Sequence, residues 1–203
     1  MEVLRKNWFP LAATVVIIAI IAFLLLSRMD KGSDLDFSLQ NLSGETISLD
    51  NTKGKARLIY FYFAHCPDVC LPTNHLLYQV QEGLKEKGVF GEDALIMSIT
   101  FDPVRDTVEY LKEYSNTMQA DPSGWHFLRD DDVEAVRALA EAYGVTVIPD
   151  GDDNFIHANL YTLLDGKGEV YKTYSPNEVI VFDPSKREAF LDEIVQDMAA
   201  LSR

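Results

Sequence analysis

Cysteine is scarce in this sequence of 203 residues, which contains only two, Cys66 and Cys70. So few thiols exclude a small domain held together by a disulfide framework. The two cysteines follow the apolar, β-type run of residues 58–63 and precede a stretch with the periodicity of an amphipathic helix. Because a helix N-terminus lowers the pKa of a thiol and favours the reactive thiolate, this pair is the first candidate for chemistry.

Basic residues are also few, with 18 Lys and Arg against 32 Asp and Glu and a formal net charge of −14. This balance excludes a nucleic-acid-binding protein and a protein that binds an anionic membrane surface through its charge. We interpret the acid excess mainly as a source of solubility. A weaker interpretation is electrostatic guidance toward a basic partner.

The N-terminus lacks two common processing signals. Residues 8–26 are apolar apart from Pro10 and Thr14, which is long enough to span a bilayer. No small-residue A-x-A cleavage site follows this run, and no Arg-rich transit peptide precedes it. The sequence therefore predicts a short cytoplasmic N-terminus (1–7), a transmembrane signal anchor (8–27), a tether (28–34) and one domain (35–203). That domain is expected on the extracytoplasmic side of a bacterial cell membrane. A cleaved signal peptide is the alternative.

The remaining chain has the pattern of one α/β domain. Helices follow strands early and an antiparallel hairpin comes late, which predicts a three-layer sandwich with a mixed central sheet. The predicted strands are 35–39, 46–49, 58–63, 94–100, 125–128, 159–164 and 169–173. The predicted helices are 71–87, 107–114, 131–143 and 186–201, with Thr107 and Ser185 as N-caps and Gly144 ending the third helix.

At helical spacing, Cys66 and Cys70 would lie one turn apart on one face. That distance suits a disulfide or two thiolates that bind a single soft metal ion. A stabilising disulfide and two buried cysteines that act as small hydrophobes are the simpler interpretations. A disulfide that closes so short a loop would constrain the unfolded chain little, which favours a chemical role without excluding the others.

His157 is the best candidate ligand among the four histidines. It follows the polar loop 150–154 and adjoins the predicted strand 159–164, which could run beside the central strand and bring the imidazole to the cysteines. Two thiolates and one imidazole suit copper, and zinc with an added water. A surface or core role is the usual alternative for a lone histidine. His75 and His126 carry no predicted chemistry.

Three residues are candidates to support the metal without binding it. His65 adjoins Cys66, but neighbouring side chains at a strand end point apart, so it would tune or shield the thiol. Asp68 lies between the cysteines near the positive end of the predicted helix, where it would act as a cap. Asp102 ends a buried strand at the edge where ligands bind in α/β sheets, with a helix cap or a salt bridge to Arg105 as its alternative roles.

Four segments together resemble the Sco/SenC family of membrane-tethered copper proteins with a thioredoxin-like fold. Residues 63–70 (FAHCPDVC) are similar to the family's FTxCPxVC, and residues 101–107 (FDPVRDT) to its S-x-D-P-x-R-D-T. Residues 125–128 (WHFL) are similar to W-x-F-L, and His157 stands where the family places a histidine before its last hairpin. The resemblance covers residues 35–174.

This resemblance implies that Cys66, Cys70 and His157 bind Cu(I) or Cu(II). It also implies a metallochaperone, which needs no catalytic group, acting on the copper-receiving subunit of cytochrome c oxidase to mature its dinuclear copper (CuA) centre. The chain departs from the family pattern at Leu71, which precedes Pro72 where proline is usual, and at Ala158, where serine is common. Neither departure removes a ligand.

An enzyme is the rival hypothesis. A membrane-anchored thiol–disulfide oxidoreductase would use Cys66 and Cys70, for example to reduce the cysteines of that copper centre. Redox enzymes of this fold usually carry C-x-x-C, so the three intervening residues here and the presence of His157 favour metal. The sequence predicts no oligomeric state.

Overall fold

The computed structural model describes residues 35–66, 70–151 and 154–202, without the side chains of Cys70 and Leu71. One compact unit begins at Phe37, two residues beyond the predicted domain start. The predicted N-terminus, anchor and tether (1–34) lie outside the described residues. Within the described ranges, no helix combines the length and apolar character needed to cross a membrane.

Strands and helices alternate along the described chain as the sequence predicts. The strands are β1 (Ser38–Asn41), β2 (Thr46–Ser48), β3 (Ala56–Tyr62), β4 (Ala94–Thr100), β5 (Trp125–Arg129), β6 (Val147–Pro149), β7 (Phe155–His157), β8 (Tyr161–Leu164) and β9 (Val170–Tyr174). The α-helices are α1 (Cys70–Glu86), α2 (Val108–Thr117), α3 (Val133–Ala142) and α4 (Arg187–Leu201). A π-helical turn (Glu178–Phe182) and a 3-10 turn (Pro184–Lys186) connect β9 to α4.

Seven strands form one mixed sheet in the order β2-β1-β5-β4-β3-β8-β9. Strands β3, β4 and β5 are parallel, whereas β8 is antiparallel to β3 and β1 is antiparallel to β5. Every residue of β3 and β4 is buried. This is the expected property of strands that are covered on both faces, which explains why their sequences are almost continuously apolar.

Helices cover both faces of the sheet. On one face, buried residues of α1 and α4 pack with Leu58, Tyr60 and Tyr62 of β3 in a single core cluster. A Cβ at Gly83 of α1 would come within 2.7 Å of the side chain of Val195 in α4, so glycine permits the close approach of these two helices. On the other face, α3 ends beside the sheet and the ring of Tyr143 lies 5.4 Å from that of Phe61. The three-layer sandwich with a mixed sheet is confirmed.

Several local predictions are confirmed in detail. Strand β4 has the predicted bounds, and Thr107 caps α2 by accepting a hydrogen bond from the Tyr110 amide. Gly144 follows α3 with φ +80°, a conformation that glycine adopts without steric cost. The prediction that Ser185 caps the last helix is wrong. Asp183 accepts the Ser185 amide at the start of the 3-10 turn, because Pro184 imposes a separate short turn before α4.

The sequence does not predict the element that precedes β8. Strands β6 and β7 pair as a separate antiparallel two-stranded sheet, and we call the described residues 147–151 and 154–157 the ribbon. Its strands have three residues each and are assigned to no element by the sequence, since so short a pattern carries little periodicity. The ribbon is the element that carries His157.

Candidate metal centre

The topology brings the predicted site residues to one edge of the sheet. Because β3 and β4 are parallel, the segments that follow them leave at the same edge, and these contain Cys66 and Asp102. Strand β8 runs antiparallel to β3, so its start lies beside the end of β3, with Tyr161 opposite Tyr60. His157 precedes that start by four residues. The prediction that the strand after His157 runs next to the central strand is confirmed.

Aromatic rings hold His157 at this edge. Its imidazole packs edge-on against Phe101, with centroids 5.0 Å apart, and against Phe63, with centroids 5.8 Å apart. Phe63 precedes Cys66 by three residues. The rings of Phe63 and Phe101 also contact Phe155, which lies on the same strand as the histidine. An apolar cluster therefore fixes the ring of His157 close to the cysteine segment.

The hydrogen bonding of His157 decides which ring nitrogen is available. Its Nδ1 lies 3.1 Å from the carbonyl oxygen of Ala158. A carbonyl can only accept, so Nδ1 carries the proton and Nε2 presents its lone pair in the neutral ring. Burial lowers the pKa of His157, with a smaller opposing effect of the Ala158 carbonyl, which favours that neutral ring. A neutral imidazole with its other nitrogen hydrogen-bonded is the usual state of a histidine that binds metal.

The two cysteines lie at the junction between β3 and α1. Cys66 is half-buried, and Cys70 is the first residue of α1, one residue earlier than predicted. Among the described side chains, which do not include that of Cys70, no three histidine, cysteine or acidic groups lie close enough to hold a metal ion. The donor types nevertheless fit copper, since soft thiolates and a neutral imidazole are its usual protein ligands.

A buried carboxylate anchors the residues just before Cys66. Asp106 accepts hydrogen bonds from the Ala64 amide at 2.9 Å and from the Thr100 hydroxyl at 2.5 Å, both through Oδ2. Its Oδ1 lies 2.9 Å from Nδ1 of His65, whose ring stacks on Tyr110 with centroids 4.2 Å apart. Burial raises the pKa of Asp106, although these hydrogen bonds lower it. His65 is therefore held away from solvent on its Nδ1 side.

Sequence reasoning singled out Asp102 and missed Asp106. Asp102 lies two residues beyond the end of β4, and its carboxylate pairs with Arg105 at 2.5 Å, an alternative role considered for it. The guanidinium of Arg105 lies over the rings of Phe63 and Phe155, at 5.7 and 5.6 Å from their centroids. The signal for Asp106 was its position directly before the helix cap Thr107, within the motif already noted.

A hydrogen-bonded bridge joins the segment of His157 to the first turn of α1. The amide of Asn159 donates to the Thr73 hydroxyl and to Oδ1 of Asn177, each at 2.9 Å. The Tyr161 hydroxyl donates to the Thr73 carbonyl at 2.6 Å. Thr73 stands three residues after Cys70, and Asn159 two residues after His157. This buried bridge, which sequence reasoning also missed, fixes the distance between the two segments.

The other predicted positions lie apart from this edge or outside the description. Asp68 is not among the described residues. His75 is exposed on α1, where its ring stacks on Tyr78. His126 lies near the start of β5, opposite Met97 of β4, and therefore toward the other end of the strands.

Known proteins share this sequence pattern and this fold. The family model described as SCO1/SenC matches residues 28–185. A SCO2-like protein of Rickettsia felis is 31% identical over 154 residues, covering 72% of this chain and 73% of the relative. The structure of Arabidopsis thaliana ScoI with copper bound has a TM-score of 0.66 at 26% identity, covering 81% of this chain and 97% of that chain.

A further structure concerns a disulfide switch in BsSco, described as a member of the Sco family of cytochrome c oxidase assembly proteins. It has a TM-score of 0.68 at 26% identity and covers 82% of this chain and 91% of that chain. The sequence match spans more than two thirds of the chain, and the two structural matches cover more than four fifths of it. On this evidence the protein belongs to the SCO1/SenC family.

Proposed function

We propose that this protein is a copper metallochaperone that binds one copper ion through Cys66, Cys70 and His157. The observation that carries the proposal is the neutral tautomer of His157, whose Nδ1 donates to the Ala158 carbonyl and leaves Nε2 available beside the cysteine segment. The copper-bound structure of the Arabidopsis relative supports the choice of metal.

The donor set suits a cargo rather than a permanent cofactor. Two thiolates favour Cu(I), and the imidazole adds a harder ligand with which the same site holds Cu(II). Three protein ligands leave copper open to attack by a ligand of a second protein. Transfer then proceeds by exchange of one thiolate at a time and needs no acid or base from this chain.

We infer that the recipient is the copper-receiving subunit of cytochrome c oxidase and that the product is its dinuclear copper centre. The description of BsSco as belonging to a family of oxidase assembly proteins supports this inference. The apolar run of residues 8–26 supports a single transmembrane anchor with the domain on the extracytoplasmic side of a bacterial membrane. In that compartment the thiols meet an oxidising environment, so a dedicated reductant must keep them able to bind copper.

A second candidate function is thiol–disulfide exchange by the same cysteines. The disulfide switch of BsSco and the position of Cys66 before a helix that starts at Cys70 favour it. In this reaction the two thiols of the chain become a disulfide, and the two electrons and two protons pass to the disulfide of the recipient. His157 takes no part in this exchange of electrons and protons, so a variant of His157 separates the two functions.

The test uses the reduced full chain in mild detergent and the soluble copper-binding domain of oxidase subunit II from the same organism. One reaction mixes the copper-loaded chain with the reduced, copper-free domain. The other mixes the copper-free chain with the disulfide form of the domain. We expect His157→Ala to abolish copper transfer. If His157→Ala transfers copper as the unmodified chain does, and the chain readily reduces the disulfide form, the oxidoreductase is the correct function.

A further inference from the structure

The two faces of the ribbon have opposite character. Phe155 and His157 pack onto the aromatic cluster with Phe63 and Phe101. Ile156 lies between them and points the other way, because side chains alternate along a strand. Its side chain is 56% exposed, and that of its cross-strand partner Ile148 is 52% exposed. The element that holds His157 therefore presents a pair of isoleucines to solvent.

The stability of the hairpin does not explain why both of these exposed residues are isoleucine. A cross-strand apolar pair stabilises a hairpin modestly, and a polar β-branched pair would serve nearly as well without exposing apolar surface. Exposed apolar residues that form a contiguous patch mark protein–protein interaction sites, and Ile148 and Ile156 are paired across the ribbon.

The charge around the ribbon defines what would bind there. The sequence contains no Lys or Arg between Arg137 and Lys167, and residues 150–153 include three aspartates. The guanidinium groups of Arg105 and Arg137 lie over the ring of Phe155, which faces away from the isoleucines. An apolar pair beside an acidic, cation-free segment complements an apolar patch flanked by Lys or Arg. It does not complement a second copy of the same acidic surface, and it repels an anionic membrane.

Ligand exchange adds a geometric requirement. A donor and an acceptor protein must bring their thiolates and imidazoles within bonding distance of one copper ion, so the acceptor covers the edge that carries Cys66 and His157. The ribbon lies at that edge, because its own strand β7 ends at His157. An acceptor that reaches His157 therefore meets the ribbon.

We propose that the Ile148–Ile156 face of the ribbon, with Asp150 at its rim, is the docking surface for the copper-accepting domain, and that this domain presents an apolar patch flanked by basic residues. The proposal rests on the proposed copper transfer and specifies its partner surface. The isoleucines supply the buried contact, and Asp150 steers the encounter.

The test compares two double variants of the full chain, Ile148→Ser/Ile156→Ser on the ribbon and Val170→Ser/Tyr171→Ser on the edge strand β9. The second pair is a matched control, since its side chains are 49% and 53% exposed. Each copper-loaded variant is mixed with the soluble copper-binding domain of oxidase subunit II, and the second-order transfer rate is measured beside the Cu(I) affinity.

We expect the ribbon variant to transfer copper about tenfold more slowly or worse while it keeps its Cu(I) affinity, as for the loss of a central interface contact. The transfer rate of the control variant should stay within about twofold of that of the unmodified chain, because its residues lie outside the proposed interface. Equal rates in the two double variants would overturn the docking surface. A change in self-association of the ribbon variant, seen by sedimentation, with an unchanged transfer rate would do the same.

A single charge-reversal variant distinguishes loss of docking from failure of the ribbon to fold without its isoleucines. Asp150→Lys leaves the apolar pair intact and should slow transfer and weaken its salt dependence, because one steering charge is reversed. A rate and salt dependence equal to those of the unmodified chain would overturn the role of the acidic rim. No transfer by the unmodified chain would instead refute the proposed function itself.

Discussion

The side-chain amide of Asn159 donates a hydrogen bond to the Thr73 hydroxyl across 2.9 Å, linking two segments that are 86 residues apart in sequence. One segment begins with Cys70, and the other contains His157. Because both groups are buried, this bond is shielded from competing water. It therefore controls how the two predicted halves of the copper site face each other.

Asn159→Ala should destabilise the fold and weaken copper binding together. We expect a loss of about 1–3 kcal/mol in the free energy of unfolding, since the acceptor oxygens of Thr73 and Asn177 lose their buried donor. The Cu(I) affinity should fall as well, because the segment of His157 is no longer tied to α1. Urea unfolding and Cu(I) competition measure the two effects.

Asn74→Ala is the matched control for that prediction. Asn74 is also buried on α1, and its amide donates to the Tyr114 hydroxyl at 2.9 Å. Neither residue belongs to the segment that contains His157. Loss of the Asn74 amide should cost similar stability and leave the Cu(I) affinity nearly unchanged. Equal losses of affinity in the two variants would show that the Asn159 bridge has no special effect on the site.

Asp106→Asn should destabilise the loop before Cys66. The amide keeps one acceptor for Ala64 and Thr100 but places an N–H group against the ring of His65. We expect a loss of about 1–3 kcal/mol in the free energy of unfolding, as for a buried network that is left partly unsatisfied. Asp131→Asn is the control, because its exposed pair with Arg129 should contribute about 0–1 kcal/mol. Equal losses would contradict the role of Asp106 as a buried anchor.

We expect the buried imidazole of His126 to make the free energy of unfolding depend on pH. Burial is the main cause that lowers the pKa of His126. Glu45 opposes burial by raising the pKa, and Lys55 adds to it by lowering the pKa. The unfolded chain therefore binds a proton below a pH of about 6.5 that the folded chain does not bind. The free energy of unfolding should fall as the pH drops from about 6.5 toward the lowered pKa of His126. Above a pH of about 6.5 this contribution should stay constant.

His126→Gln should remove this contribution. We expect a shallower decline in the free energy of unfolding between pH of about 6.5 and 5 than in the unmodified chain, measured by urea unfolding at each pH. His157 also has a lowered pKa, but it is present in both proteins and cancels in the comparison. Parallel curves for the two proteins would refute the prediction.

Much of the fold could be predicted because its main elements carry long, strong patterns. The buried run of β4 and the cap of α2 at Thr107 follow from periodicity and capping chemistry within a few adjacent residues. The ribbon could not be predicted, since its three-residue strands are stabilised by contacts of Phe155 with Phe63 and Phe101, which are distant in sequence.

The same division holds for the candidate site. Cys66, Cys70 and His157 could be selected because their chemistry is rare in this sequence and matches a known motif. Asp106 and Asn159 could not, since Asp and Asn are common and only the fold shows that these two are buried against Ala64 and Thr73. Asp102 was selected for its strand-end position, and the structure pairs it with Arg105.

The most direct test of the central claim is a Cu(I) titration of the reduced full chain in competition with a chromophoric chelator. The chain should bind one copper ion. The variants Cys66→Ser, Cys70→Ser and His157→Ala should each lower the Cu(I) affinity by about tenfold or more, because loss of a residue that only supports a ligand already lowers metal affinity by about that much. His75→Ala, an exposed histidine on α1, should bind as the unmodified chain does. An unchanged affinity in His157→Ala would contradict the three-ligand copper site.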